Sequence, residues 1–274
     1  MAVIPVSVLM STYKGNKAKY LDESLKSLAE QSYIADEIIL IVDGEIDAEQ
    51  QLVISRFNYK GNFKVYYLKE NHGLAYCMNL AIQYSSNDIL ARMDADDLSN
   101  SERLESQYKK IISLEDENYV ICSWASDFSD ECSDLGSIKK TPEGHSQIKK
   151  AIPYRNVIVH PSIMFYKKVV DVHGGYNQAV GLLEDYELHL RLIASGVKYY
   201  AIQKPLIQVR TSHEQYDRRG GLKYLINEYK FRLFCYRKKY ISFYQLMMSC
   251  FIYSFLRLSP VVLRKSMYKL VRES

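Results

Sequence analysis

The chain has 274 residues, of which 47% are apolar, 25% charged and 12% aromatic, and its formal net charge is +4. That apolar share is enough for one large domain, or one domain with an appendage, and it excludes disorder and collagen-like repetition. The charge is unevenly spread: residues 221–274 carry 11 Lys and Arg against 2 Asp and Glu, or +9, which leaves −5 for residues 1–220.

In chain order, Val6–Met10 reads as a buried strand, Lys19–Gln31 as a helix, Glu37–Val42 as a strand, Ala48–Asn58 as a helix, Phe63–Leu68 as a strand, Gly73–Tyr84 as a helix and Asp88–Met93 as a strand. This alternation predicts an α/β fold, a parallel sheet with helices on both faces. In such sheets ligands bind beyond the carboxyl ends of the strands. The residues there are Ser11-Thr12-Tyr13-Lys14-Gly15, Asp43-Gly44, Asn71-His72-Gly73 and Asp94-Ala95-Asp96-Asp97. No GxGxxG or GxxxxGK[ST] occurs among them, so dinucleotide and P-loop cradles are unsupported.

Asp94, Asp96 and Asp97 repel one another unless a cation neutralises them, and hard oxygen ligands select Mg²⁺ or Mn²⁺. The same residues also fit a solvated acidic turn before a helix starting near Ser101. Further on, Glu184 and Asp185 precede a helical run, at a helix N-terminus that favours ionised carboxylates. An ionised Asp185 in a partly dry cleft suits proton removal from a sugar hydroxyl; a plain N-cap is the alternative. His160-Pro161-Ser162 precedes an apolar strand, Ile163–Tyr166, and Arg210-Thr211-Ser212-His213 follows another, Leu206–Val209. Their His and Arg side chains could reach a diphosphate or complete a metal shell, or could simply lie at the surface.

Taken in order, these pieces resemble the family 2 glycosyltransferases, nucleotide-sugar enzymes of the GT-A fold. The matching pieces are Val6 to Tyr13, Glu37 to Gly44, Asn71-x-Gly73 leading to Asn79, and Asp94-Ala95-Asp96-Asp97. His160-Pro161-Ser162, Gly174-Gly175-Tyr176-Asn177, Glu184-Asp185 and the Arg210 to His213 loop complete the set. The resemblance spans residues 3–215 and implies a Rossmann-like mixed sheet with a UDP-sugar as donor. It implies that Thr12, Tyr13 and Asp43 hold the uridine, that Asn71, Gly73, Asn79, Asp94 and Arg210 contribute to donor binding, and that Asp94, Asp96, Asp97 and His213 surround the divalent metal. Asp185, with Glu184 beside it, would be the catalytic base of an inverting hexosyl transfer. Two departures stand out: a single Asp43 before Gly44 where many relatives have two aspartates, and Met78 where many have an arginine before the equivalent of Asn79.

From Tyr240 to Leu256 there are 17 uncharged residues, short of the ~20 that span a bilayer. Ser242, Gln245, Ser249, Tyr253 and Arg257 draw a polar stripe between apolar Phe243, Leu246, Met247, Phe251 and Phe255, and Pro260 should start a final basic helix. Residues 1–220 are thus expected to form the catalytic domain and 221–274 a basic amphipathic tail lying on the cytoplasmic face of the inner membrane. Such a tail suits a membrane-bound acceptor, and the resemblance implies a lipid-diphosphate-linked saccharide of the kind used in O-antigen assembly, with galactose or glucose as the sugar transferred. No nucleic-acid motif accompanies the charge. A nucleotidyltransferase and an inactive sugar-nucleotide-binding scaffold are the competing readings. Residues 1–10 lack the features of a secretory signal, so a cytoplasmic location is expected. Cys77, Cys122, Cys132, Cys235 and Cys250 form no CxxC pair, which fits free thiols.

Overall fold

The computed structural model describes residues 2–129, 136–211 and 222–258. The first half alternates as the sequence predicts: β1 (Ala2–Thr12), α1 (Ala18–Ala29), β2 (Tyr33–Val42), α2 (Ala48–Arg56), β3 (Asn62–Tyr67), α3 (Leu74–Tyr84) and β4 (Ile89–Arg92). The second half adds β5 (Leu98–Ser99), α4 (Arg103–Ser113), β6 (Tyr119–Phe128), β7 (Ile138–Lys139), α5 (His145–Ala151), β8 (Met164–Tyr166), α6 (Lys167–Asp171), α7 (Glu184–Ala194) and β9 (Lys198–Arg210). Two helices, α8 (Leu222–Arg237) and α9 (Phe243–Leu258), follow.

The strands form one sheet in the order β3-β2-β1-β4-β8-β6-β9-β5, with β7 on β6. β3, β2, β1 and β4 run parallel. β8 is antiparallel to both β4 and β6, so the sheet is mixed. Successive side chains of a strand point to opposite faces, and here both faces are covered. Val6, Val8 and Met10 join Ile38, Leu40 and the α1 residues Leu21, Leu25 and Leu28 on one side. Leu9, Ile39 and Ile41 meet Cys77, Met78 and Ala81 of α3 on the other. Each such side chain, fully buried, stabilises the fold by roughly 1.5–3 kcal/mol.

The helices α8 and α9 share the core of the preceding chain. Phe231, Cys235, Ile241 and Leu246 belong to the same cluster as Leu188 and Leu192 of α7. Arg232 on α8 is wholly buried. It donates to the Pro153 carbonyl at 2.6 Å, to the Tyr186 hydroxyl at 2.8 Å and to Glu228 at 3.0 Å, and its guanidinium lies over the Tyr253 ring. The polar stripe of α9 turns inward rather than to solvent: Ser249 is fully buried and Tyr253 packs under Arg232. Phe243, Tyr244, Met247, Phe251 and Phe255 point outward and are exposed. Among the described residues no helix is long and apolar enough to cross a membrane. Cys132, Pro260 and the expected final basic helix lie outside the described residues, and Cys77, Cys122, Cys235 and Cys250 are free thiols.

Removing Arg232 leaves Glu228 buried without its cation, a change that costs about 3–5 kcal/mol. Arg232→Ala should therefore lower the unfolding free energy obtained by urea titration by that amount, and a value within error of wild type would show that α8 does not rely on this anchor.

Candidate active site

Three parallel strands deliver their carboxyl ends to one rim. At the end of β1, Thr12 is buried, and the following loop is pinned by Gln50, whose amide donates to the carbonyls of Tyr13 and Asn16, both at 2.9 Å. The Tyr13 side chain stays exposed on that fixed loop. At the end of β2, the Asp43 carboxylate accepts the backbone N–H groups of His72 at 2.7 Å and Gly73 at 2.9 Å, while Asn71 donates to the Asp43 carbonyl at 3.2 Å. Gly44 has φ +84, and a Cβ there would stand 3.0 Å from the Asn71 nitrogen, so only glycine lets this loop close against the strand end.

Beyond β4 the chain enters a cavity of about 500 Å³ lined by Arg92, Asp94, Asp96, Asp97, Glu184, Asp185 and Arg210. The sequence placed all of these except Arg92 at the site. Asp94 pairs with Arg92. Burial, followed by the charge of Asp94, pushes the Asp96 carboxyl up to about 6. Burial and the charges of Asp94 and Asp96 raise Asp97 well above the usual range. Glu184 and Asp185 are both raised, again chiefly by burial. Asp185, half-buried, accepts the Asn156 amide at 3.1 Å and the Tyr186 N–H at 2.6 Å. Glu184 Oε2 is buried without a partner.

Arg92 links the two groups of acids. It is buried, and its charge favours the ionised form of Asp96, Asp97, Glu184 and Asp185. Its Nε and Nη1 have no hydrogen-bond partner. A second buried arginine, Arg103, donates to the Arg92 carbonyl at 2.6 Å and the Pro161 carbonyl at 2.8 Å, fixing the chain on either side of the cavity floor. The signal for Arg92 was a lone charge inside the apolar run Ile89-Leu90-Ala91-Arg92.

Several expected roles differ in the structure. Asn79 lies outside the acidic cavity: its amide accepts from the Tyr176 N–H at 2.7 Å and donates to the Tyr176 carbonyl at 2.9 Å, holding the Gly174-Gly175 turn. Asp97 is turned inward, with Oδ1 accepting the Arg210 N–H at 2.9 Å, so it braces β9 more than it faces a ligand. The Arg210 guanidinium is stacked between Tyr20, at 3.9 Å, and Phe128, at 4.4 Å, and pairs with Glu23 at 2.5 Å. His160 is not a ligand in waiting: its ring nitrogens engage His189 at 3.3 Å and the Tyr176 hydroxyl at 3.2 Å, and burial holds it well below its usual pKa. His213 lies outside the described residues. Thr12, Tyr13, Asp43, Asn71 and Gly73 border the neighbouring strand ends rather than the cavity itself.

Among the described residues no three His, Cys, Asp or Glu side chains converge into a preformed metal cage. Asp94 and Asp96 remain, and two carboxylates completed by substrate phosphates are a usual set for Mg²⁺. The donor set thus fits a divalent cation that arrives with a diphosphate.

The model of glycosyl transferase family 2 matches residues 7–174. The chain belongs to this family. It is 33% identical over 97% of its length to the UDP-Gal:alpha-D-GlcNAc-diphosphoundecaprenol beta-1,3-galactosyltransferase of Escherichia coli, covering 95% of that protein. It is 27% identical to the amylovoran biosynthesis glycosyltransferase AmsE of Erwinia amylovora, covering 96% of this chain and 97% of AmsE. The structure of S. aureus TarS 1–349 in complex with UDP superposes with a TM-score of 0.61 at 20% identity, over 87% of this chain and 73% of the TarS 1–349 chain, which establishes the GT-A fold. The family and its curated relatives make the chain a glycosyltransferase rather than a nucleotidyltransferase.

Because Arg92 favours the ionised carboxylates around it, Arg92→Met should move the acid limb of the kcat/KM profile upward by about one pH unit or more. Arg92→Lys, which keeps the charge, should move it less. Profiles of the two variants that coincide with wild type would contradict this role.

Proposed function

We propose that this glycosyltransferase moves a hexose, galactose or glucose, from a UDP-sugar to a saccharide carried on a membrane-lipid diphosphate, with inversion, in O-antigen or related surface polysaccharide synthesis. The observation that carries the reading is that Asp185 lines the same cavity as Asp94 and Asp96. The lipid-linked acceptor is suggested by the Escherichia coli relative, whose name specifies UDP-Gal and GlcNAc-diphosphoundecaprenol.

In this reading Tyr13 packs on the uracil, and Thr12 and Asp43 border the nucleoside. The acceptor hydroxyl attacks the anomeric carbon and gives its proton to Asp185, the C–O bond to the diphosphate breaks, and UDP leaves with the bonding pair. One displacement turns an α-linked donor into a β-linked product. Mg²⁺ or Mn²⁺, held by Asp96 with Asp94, supplies positive charge against the departing diphosphate. Arg210, fixed by Tyr20, Phe128 and Glu23, adds charge to the same wall. The exposed aromatic face of α9 with exposed Arg237, Lys238 and Lys239 beside it suits attachment to an anionic lipid surface on the cytoplasmic side of the inner membrane.

The test is transfer from UDP-Gal and UDP-Glc to a synthetic GlcNAc-α-diphosphate-lipid, with and without Mn²⁺, and NMR of the product linkage. A β linkage is expected. Asp185→Asn should lose about 10²–10⁴-fold in kcat while keeping UDP affinity, and Asp96→Ala should lose turnover together with its response to Mn²⁺. An α-linked product, or undiminished turnover in Asp185→Asn, would contradict the mechanism.

A further inference from the structure

The cavity has a second wall that the donor chemistry does not use. Besides the acids, the cavity is lined by Lys139, Lys140 and Arg155. The Lys139 ammonium pairs with Asp127 at 2.5 Å, which holds it in place, and the Lys140 ammonium lies over the Trp124 ring at 5.7 Å. Arg155 is half-buried. Burial lowers its pKa, and the Tyr253 hydroxyl acts against that shift. An anion brought to this place would relieve the desolvation of the guanidinium.

The position of Arg155 in the chain gives the wall a direction. Asn156, its neighbour, donates to the Asp185 carboxylate, and Pro153, two residues before it, accepts from Arg232 of α8. Arg232 in turn lies over both Tyr186 and Tyr253. Within four residues the segment 153–156 therefore runs from the helices α8 and α9 to the catalytic carboxylate, with its cation between them.

Resting on the function proposed above, we propose that Arg155, Lys139 and Lys140 hold the diphosphate of the acceptor, with its sugar against Asp185 and its lipid toward α9. The donor and acceptor diphosphates then occupy opposite walls of one cavity. The donor diphosphate meets the aspartate rim, where charge must be neutralised as it departs. The acceptor diphosphate meets fixed basic side chains, because it stays bound throughout and no bond to it breaks.

The experiment compares three acceptors with the same lipid: GlcNAc linked through a diphosphate, through a monophosphate, and through a neutral ether. Each is assayed with the full chain and with Arg155→Gln, Lys140→Gln and Arg155→Lys, alongside direct titration of each acceptor into the protein. The wild type should prefer the diphosphate acceptor in kcat/KM. The ratio of diphosphate to neutral acceptor should fall by about tenfold or more in Arg155→Gln, since a charge-assisted hydrogen bond is lost, and Arg155→Lys should restore part of it. A merely structural role for Arg155 would lower kcat/KM equally for all three and leave the ratio unchanged. Efficient transfer to the diphosphate acceptor with a ratio unmoved in Arg155→Gln and Lys140→Gln would overturn this assignment while leaving the proposed function standing. A wild type that neither binds nor glycosylates any lipid-diphosphate acceptor would overturn both.

Discussion

The charge on Arg92 acts on five carboxyl groups at once: Asp94 through a direct ion pair, and Asp96, Asp97, Glu184 and Asp185 through space. Two like charges about 4 Å apart near a protein surface repel by about 4 kcal/mol, so a cavity lined by five acids cannot keep them ionised without compensation. Arg92 supplies part of it from the protein. The remainder is left for what the cavity takes in, and that residual deficit is what makes the aspartate rim receptive to a cation and the Asp185 carboxyl receptive to a proton.

The surrounding fold keeps this guanidinium where it is needed. Arg103 is wholly buried and grips the Arg92 carbonyl, so β4 cannot slide along its neighbours without losing that bond. Behind the cavity, Tyr176, His160, His189 and Tyr199 form a continuous buried hydrogen-bonded chain. Burial and the nearby Arg92 charge push His189 down to about 3, so both imidazoles stay neutral and add no further positive charge to the floor. Arg191 closes the same turn from the other side, pairing with Glu187 and donating to the Gly175 carbonyl at 2.6 Å. Among the described residues, the cavity carries buried side-chain atoms without a hydrogen-bond partner on Arg92, Asp97 and Glu184.

The strand ends were legible because buried parallel strands give continuous apolar runs, and the turns after them carry polar residues that a core cannot absorb. Asp94 and Asp96 could be read for that reason, and Asp185 from its place at the start of a helical run. β6 escaped notice because its Ser123, Trp124 and Ser126 break the apolar run, and β9 was read only from Leu206 because Pro205 interrupts it. The pairing between the two shifts register at that point. Asn79 was misjudged because its partner, Tyr176, lies 97 residues away in the chain. The α9 stripe is legible in the sequence, and the packing of α8 adds that Ser249 and Tyr253 face the protein.

The central claim is that a donor diphosphate settles on the aspartate rim while Asp185 faces the acceptor side of the same cavity, with Arg92 balancing both. A crystal structure of the protein with UDP and Mn²⁺ tests it most directly. The account predicts the metal on Asp96, the diphosphate beside it, the Arg92–Asp94 pair intact, and Asp185 across an open space from the β-phosphate. A diphosphate bound away from this cavity, or an Arg92 withdrawn from Asp94, would contradict it.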